Sequence, residues 1–169
     1  MRLRDVTPRD VPAVAALVRR ADATHLEAHP QMALPTVLQE ETDWHVRLAR
    51  HGAWAQLAED EDGTLVGAVA FSSAREQHHD GAVVPGLAHL SACFVEPARF
   101  GQGIGGRLLV AAHVAMRERG FERARLWTIE GSPAERLYAR HGWVRTDARD
   151  RHPVMGVDLV QYVLELPVR

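Results

Sequence analysis

The chain has 169 residues, 46% hydrophobic and 25% charged, which excludes a disordered chain and fits one domain with its own core. Its 20 basic and 22 acidic residues leave a formal charge of −2, which gives no general electrostatic reason to bind nucleic acid. Cys93 is the only cysteine, no signal-like apolar block follows Met1 and no apolar run approaches the ~18 residues of a membrane span, so the expectation is a cytoplasmic protein without an intrachain disulfide.

In chain order, Arg2–Val6 alternates like an edge strand. Thr7-Pro8-Arg9-Asp10 reads as a cap before an apolar run; with Asp10 as the cap, Pro12 falls in the first turn, where its missing N–H is harmless. Val11, Val14, Ala15 and Val18 share one helical face. Asp22–Pro35, with two prolines and two histidines, reads as an irregular connection. Val37–Arg50 predicts a helix with Val37, Glu41, Trp44 and Leu48 as its stripe, ended by Gly52. Ala53–Glu59 and Thr64–Ser72 flank Asp60-Glu61-Asp62-Gly63 and predict an antiparallel hairpin. The polar, glycine-containing stretch Arg75–Gly86 reads as a loop.

From Leu87 the spacing changes. Leu87–Val95 is strand-like. Ile104–Arg119 is helical, with Ile104, Leu108, Ala112, Ala115 and Met116 near one face and Gly120 as its stop. Arg123–Ile129 is a strand, and Pro133–His141 is a short helix with Ser132 as N-cap and proline at its first position. Trp143–Asp147 and Val157–Leu166 are the last strands, the latter an available dimer edge. The order β-α-α-β-β-β-α-β-α-β-β predicts a mixed sheet with helices on both faces, an α/β or α+β sandwich.

The segment richest in chemistry is Gly101-Gln102-Gly103-Ile104-Gly105-Gly106, at the start of an amphipathic helix. A helix start has unpaired amide donors and about half a positive charge from its dipole, and glycines let a phosphate approach the backbone. Each glycine inside the helix costs about 1 kcal/mol, a cost that a bound pyrophosphate would explain. Gly101-x-Gly103-x-x-Gly106 also satisfies the dinucleotide-binding pattern, with Glu130 at the end of the next strand as a ribose acid, so an NAD(P)-dependent oxidoreductase is one alternative. Against it, Glu96–Phe100 separate the strand from the first glycine. No Gly-Lys-Ser/Thr follows, which excludes a P-loop.

Two motifs together carry a family resemblance. Val95-Glu96-Pro97 followed by Gly103-Ile104-Gly105, and then Ala134-Glu135-Arg136-Leu137-Tyr138 followed by Gly142-Trp143, resemble the GNAT superfamily of N-acetyltransferases. The likeness runs from about Ala88 to Gly142. Phe100 stands where the family's signature has Arg or Gln, with Arg99 one residue earlier, and Gly131 stands where an Asn is frequent.

The resemblance implies a mostly antiparallel sheet of about six to seven strands, acetyl-CoA or another acyl-CoA as cosubstrate, no metal, and an amine acceptor, either a small molecule or a peptide. It implies cofactor contacts at Phe94, Val95, Arg99, Phe100, Gly101, Gln102, Gly103, Ile104, Gly105, Gly106, Ser132 and Tyr138, with the pantetheine arm laid along the strand at Cys93–Val95. It also implies that Tyr138 protonates the leaving sulfur. A phenol near 10 and a thiol near 8.5 leave a gap of roughly 2 kcal/mol, within reach of a positioned donor. A non-catalytic acyl-CoA sensor is the other alternative, favoured by Phe100 and Gly131 and opposed by Tyr138.

An amine near pKa 10.4 arrives protonated, so a base is needed. His89 shares the alternation of Ser91 and Cys93 and titrates in the useful range, against the plainer reading of a hydrogen-bonded core or rim histidine. Glu130 and Ser132 are weaker candidates. Cys93 reads as a packing residue rather than an acyl carrier. His78-His79-Asp80 reads as a solvated loop tip rather than a metal site. Trp44, Trp54, Trp127 and Trp143 are spaced as core or acceptor-pocket residues.

Overall fold

The order of elements read from the sequence is the order in the computed structural model, which describes residues 1–77 and 80–167. They are β1 (Arg2–Asp5), α1 (Val11–Ala23), α2 (Val37–Ala49), β2 (Trp54–Glu59), β3 (Leu65–Gln77), β4 (Asp80–Val95), α3 (Ile104–Glu118), β5 (Arg123–Ile129), α4 (Ala134–Arg140), β6 (Val144–Arg151) and β7 (Asp158–Glu165). The seven strands form one sheet in the order β1-β2-β3-β4-β5-β7-β6. Every neighbouring pair is antiparallel except β4–β5. A doubly wound parallel sheet, the frame of the dinucleotide-binding alternative, is therefore absent.

Alternation along β3 divides the core between two faces. Ala68 and Ala70 meet Val11, Val14, Val18 and Trp44 of α1 and α2, together with Leu57 and Ala92. Val69 and Phe71 meet Leu108, Leu109, Ala112 and Met116 of α3, together with Leu90, Leu126 and Tyr138. Trp54 stacks on Phe71 at 5.0 Å between ring centres. Gly67 is the point where α3 comes down on the sheet: a Cβ there would lie 2.9 Å from Leu108 Cδ1 and 3.1 Å from the Phe94 carbonyl.

At the start of α1, Thr7 flanks a 3-10 turn over Pro8–Asp10, and α1 follows from Val11 with Pro12 in its first turn. The Asp10 carboxylate accepts two hydrogen bonds from Arg4 and one from the Thr7 amide, tying this turn to β1.

Several expectations are corrected. Arg75–Gly86 is not a loop: Arg75 pairs with Val83 and Gln77 with Asp80, so β3 and β4 run on as a two-stranded arm. Backbone pairing with little apolar burial builds this arm, which left no hydrophobic alternation to read. His78 and His79 lie outside the described residues, and Asp80 opens β4. The last strand, β7, is not an edge, because it sits between β5 and β6; the edges are β1 and β6. In α2 the buried residues are Glu40 and Trp44, while Val37 is exposed, so the inward stripe passes through Glu40 rather than Glu41. α4 begins at Ala134 without a side-chain cap from Ser132.

Gly67→Ala is expected to lower stability by about 1–3 kcal/mol, since neither α3 nor the Phe94 carbonyl can retreat without strain. Urea unfolding checks this; an unchanged midpoint would show that the α3–β3 approach is less tight than the geometry indicates.

Candidate active site

β4 and β5 are paired only at Leu87–Arg123, Ala88–Ala124 and His89–Arg125. Beyond His89 the two strands part, and a cavity of about 1700 Å³ opens along the gap, lined by Leu90–Val95 of β4 and Trp127–Ile129. The β4 edge that faces β5 has no strand partner over this stretch, so its amides and carbonyls are available to a ligand.

The glycine turn lies at one side of this cavity. Gly101 and Gly103 have φ of +78° and +77°, left-handed values that favour glycine, and a Cβ on either would meet nothing within 4 Å. α3 starts at Ile104 with Gly103 as its cap, and the first amide bonded back along the helix is that of Arg107, to the Gly103 carbonyl at 3.2 Å. The preceding amides are the open donors of a helix start. Gly105 and Gly106 have a further role: a Cβ there would lie 3.0 Å from Leu137 Cδ2 and 3.0 Å from His141 Nε2, so these two glycines let α4 pack against α3. Of the residues expected at the cofactor, Phe94, Val95, Arg99, Phe100, Gly101, Gly103, Ile104, Gly105, Gly106, Ser132 and Tyr138 line the cavity. Gln102 does not. Arg99 is bound to Asp60 at 2.7 Å, and the Ser132 hydroxyl lies 3.4 Å from that of Thr128. Arg107 and Arg140, missed in the sequence, add cations to the lining without an ion pair to any described residue.

Tyr138, on α4, is 7% exposed, with Trp143 and Tyr162 each 6.1 Å away between ring centres. Burial, and secondarily the nearby Cys93, raises its phenol well above the usual range, so the hydroxyl stays protonated. Among the described residues that hydroxyl makes no hydrogen bond. Burial also pushes the half-buried Cys93 thiol up to about 12, which makes it an inert thiol rather than a nucleophile.

His89 is buried and lines the cavity, and of the expected shared face Ser91 stays with it, opposite Ala88 and Leu90, while Cys93 does not. Ala70 pairs with Ala92 and Phe71 with Leu90, so Ser91 is the extra residue of a β-bulge. Leu90 and Cys93 both face α3, while the Ser91 hydroxyl accepts from Arg47 Nε of α2 at 3.1 Å. Glu130 lies outside the lining; Arg145 and Arg149 bind it and hold its carboxyl below the usual range. Of the tryptophans, Trp127 lines the cavity, Trp44 and Trp54 lie in the core, and Trp143 donates to His113 Nε2 at 3.0 Å.

The sequence reading also missed Asp22, Glu40 and Arg47, which line the cavity from α1 and α2. Burial, then the field of Glu40, pushes the Asp22 carboxyl up to about 7, and burial raises Glu40 as well. A signal was present: Asp22 stands four residues after Val18 and Glu40 four before Trp44, each on a buried helix face.

Known proteins share the fold. A search of curated protein sequences returns no match. Among solved structures, ribosomal-protein-alanine N-acetyltransferase from Brucella melitensis aligns with a TM-score of 0.74 at 22% identity, covering 98% of this chain and 100% of that one. PaiA N-acetyltransferase from Thermoplasma acidophilum, in complex with coenzyme A, aligns at 0.71 and 16% identity over 97% and 98%. YncA from Salmonella typhimurium, with its cofactor acetyl-CoA, aligns at 0.71 and 19% identity over 100% and 95%. At these identities the likeness establishes the fold. The acetyltransferase (GNAT) family model matches residues 17–143, and the chain belongs to that family.

Proposed function

We propose that the protein transfers an acetyl group, or another short acyl group, from acyl-CoA to a primary amine by direct attack on the thioester. The observation that carries this reading is one cavity holding both the open amides of the α3 start and the buried phenol of Tyr138. The amides, with Arg107 and Arg140 beside them, suit the phosphates of CoA. The unpaired edge of β4 suits the amide groups of a pantetheine arm laid down as an extra strand.

The amine, once deprotonated, attacks the thioester carbonyl carbon to give a tetrahedral oxyanion, which a β4 amide can stabilise. As the adduct collapses, the carbon–sulfur bond breaks and the sulfur takes the Tyr138 proton. The second proton leaving nitrogen replaces it on the phenol. The raised phenol pKa does not by itself defeat this step, because a thiolate in the same buried surroundings is also more basic, as Cys93 illustrates. His89 is the proposed base for the first proton, from its place on β4 in the cavity wall.

Tyr138→Phe is expected to cut acetyl-CoA-dependent thiol release about 10²–10⁴-fold while CoA affinity stays near wild type. Full turnover in this variant would remove Tyr138 from the mechanism. His89→Ala should displace the acidic limb of the kcat/KM profile; a superimposable profile would assign the proton to another group.

A further inference from the structure

Asp22, from the last turn of α1, and Glu40, from the first turn of α2, are each 7% exposed and both line the cavity. Among the described residues neither carboxylate accepts a hydrogen bond or has an ion-pair partner within 4.0 Å. Arg47 belongs to the same wall: its guanidinium lies 4.8 Å over the Trp44 ring, and Nε donates to Ser91. Its terminal nitrogens form no hydrogen bond or ion pair with a described residue. The charges of Asp22, Glu40 and Asp43 act on this guanidinium, yet none closes on it. Buried charges kept for stability alone pair with one another, because an unpaired one is costly. Here both signs are presented, unpaired, to a single cavity.

We propose that the acceptor is an amine that also carries an anionic group, as a free amino acid does, with its ammonium received by Asp22 and Glu40 and its anion by Arg47. This rests on the N-acyltransferase reading of the cavity. A ligand of this kind supplies the missing partner to every one of these groups at once. A polyamine would satisfy the carboxylates and leave Arg47 facing a second cation. An amine with no anionic group would leave the terminal nitrogens of Arg47 without a partner.

The test is thiol release from acetyl-CoA with free amino acids, spermidine and benzylamine as acceptors, preceded by a thermal shift with acetyl-CoA. Amino acids should be the best substrates. Arg47→Gln should raise their KM at least tenfold, with a smaller effect on kcat, and Arg47→Lys should restore part of the loss. Preference for spermidine or benzylamine, no turnover of any of the three classes despite acetyl-CoA binding, or an unchanged KM in Arg47→Gln would overturn the proposal alone. Absence of an acetyl-CoA shift would instead overturn the acyltransferase reading, and the proposal with it.

Asp22→Asn separates ligand binding from folding. A carboxyl whose folded pKa is raised to about 7 binds more protons folded than unfolded, so its penalty grows as pH rises from about 4 to 7 and is constant above. The variant should therefore melt at the wild-type temperature at pH 4 and at a higher temperature at pH 8, while losing at least tenfold in kcat/KM. A lower melting temperature at pH 8 would make Asp22 a structural residue and overturn its assigned part.

Discussion

The parting of β4 from β5 is the constraint on which the rest of the structure depends. Two parallel strands that stay paired for three residues and then diverge leave backbone groups that the fold itself does not satisfy. The divergence also leaves room between the helices of the two faces. β4 reaches it from one side with a bulge at Ser91, which keeps Ser91 and Ala92 on the α1–α2 face and shifts the alternation beyond them by one residue. Cys93 is thereby given to the α3 side and Ser91 to the α2 side. One strand thus serves both halves of the cavity.

Burial then sets the electrostatics. On the α4 side it keeps the Tyr138 phenol and the Cys93 thiol neutral. On the α1–α2 side the same desolvation disfavours the charged form, raising Asp22 and Glu40 and lowering Arg47. By contrast, the ion pairs of Arg4 with Asp10 and Glu59, near the surface, close fully and hold the turn before α1 against β1. Arg99, at the cavity, likewise closes on Asp60, whereas the carboxylates of Asp22 and Glu40 and the terminal nitrogens of Arg47 close on no described residue.

The order and type of all eleven elements were legible because their signals are local: alternation for the core strands, an apolar stripe for the long helices, glycines at their ends. The β3–β4 arm was not, since little apolar surface is buried on it and its side chains therefore follow no rule of period two. Nor was the bulge at Ser91, which breaks the alternation between His89 and Cys93. In the site, the glycine turn and Tyr138 were readable as a motif. Asp22 and Glu40 were not read, because a lone acidic residue on a buried helix face acquires meaning only when two helices bring their faces to one opening. Arg107 and Arg140 were missed for a simpler reason: arginines at helix ends are ordinary, and only the cavity distinguishes these two.

The two glycines that admit α4 against α3 have a mechanical consequence. Leu137 and His141, the side chains that a Cβ at Gly105 and Gly106 would strike, stand one residue before Tyr138 and three residues after it. The start of α3 and the helix that carries the phenol therefore meet directly through these two side chains, over the space that two missing Cβ atoms leave. A larger residue at either glycine would push the open amides and the phenol apart, so the spacing between them depends on two positions that carry no side chain of their own.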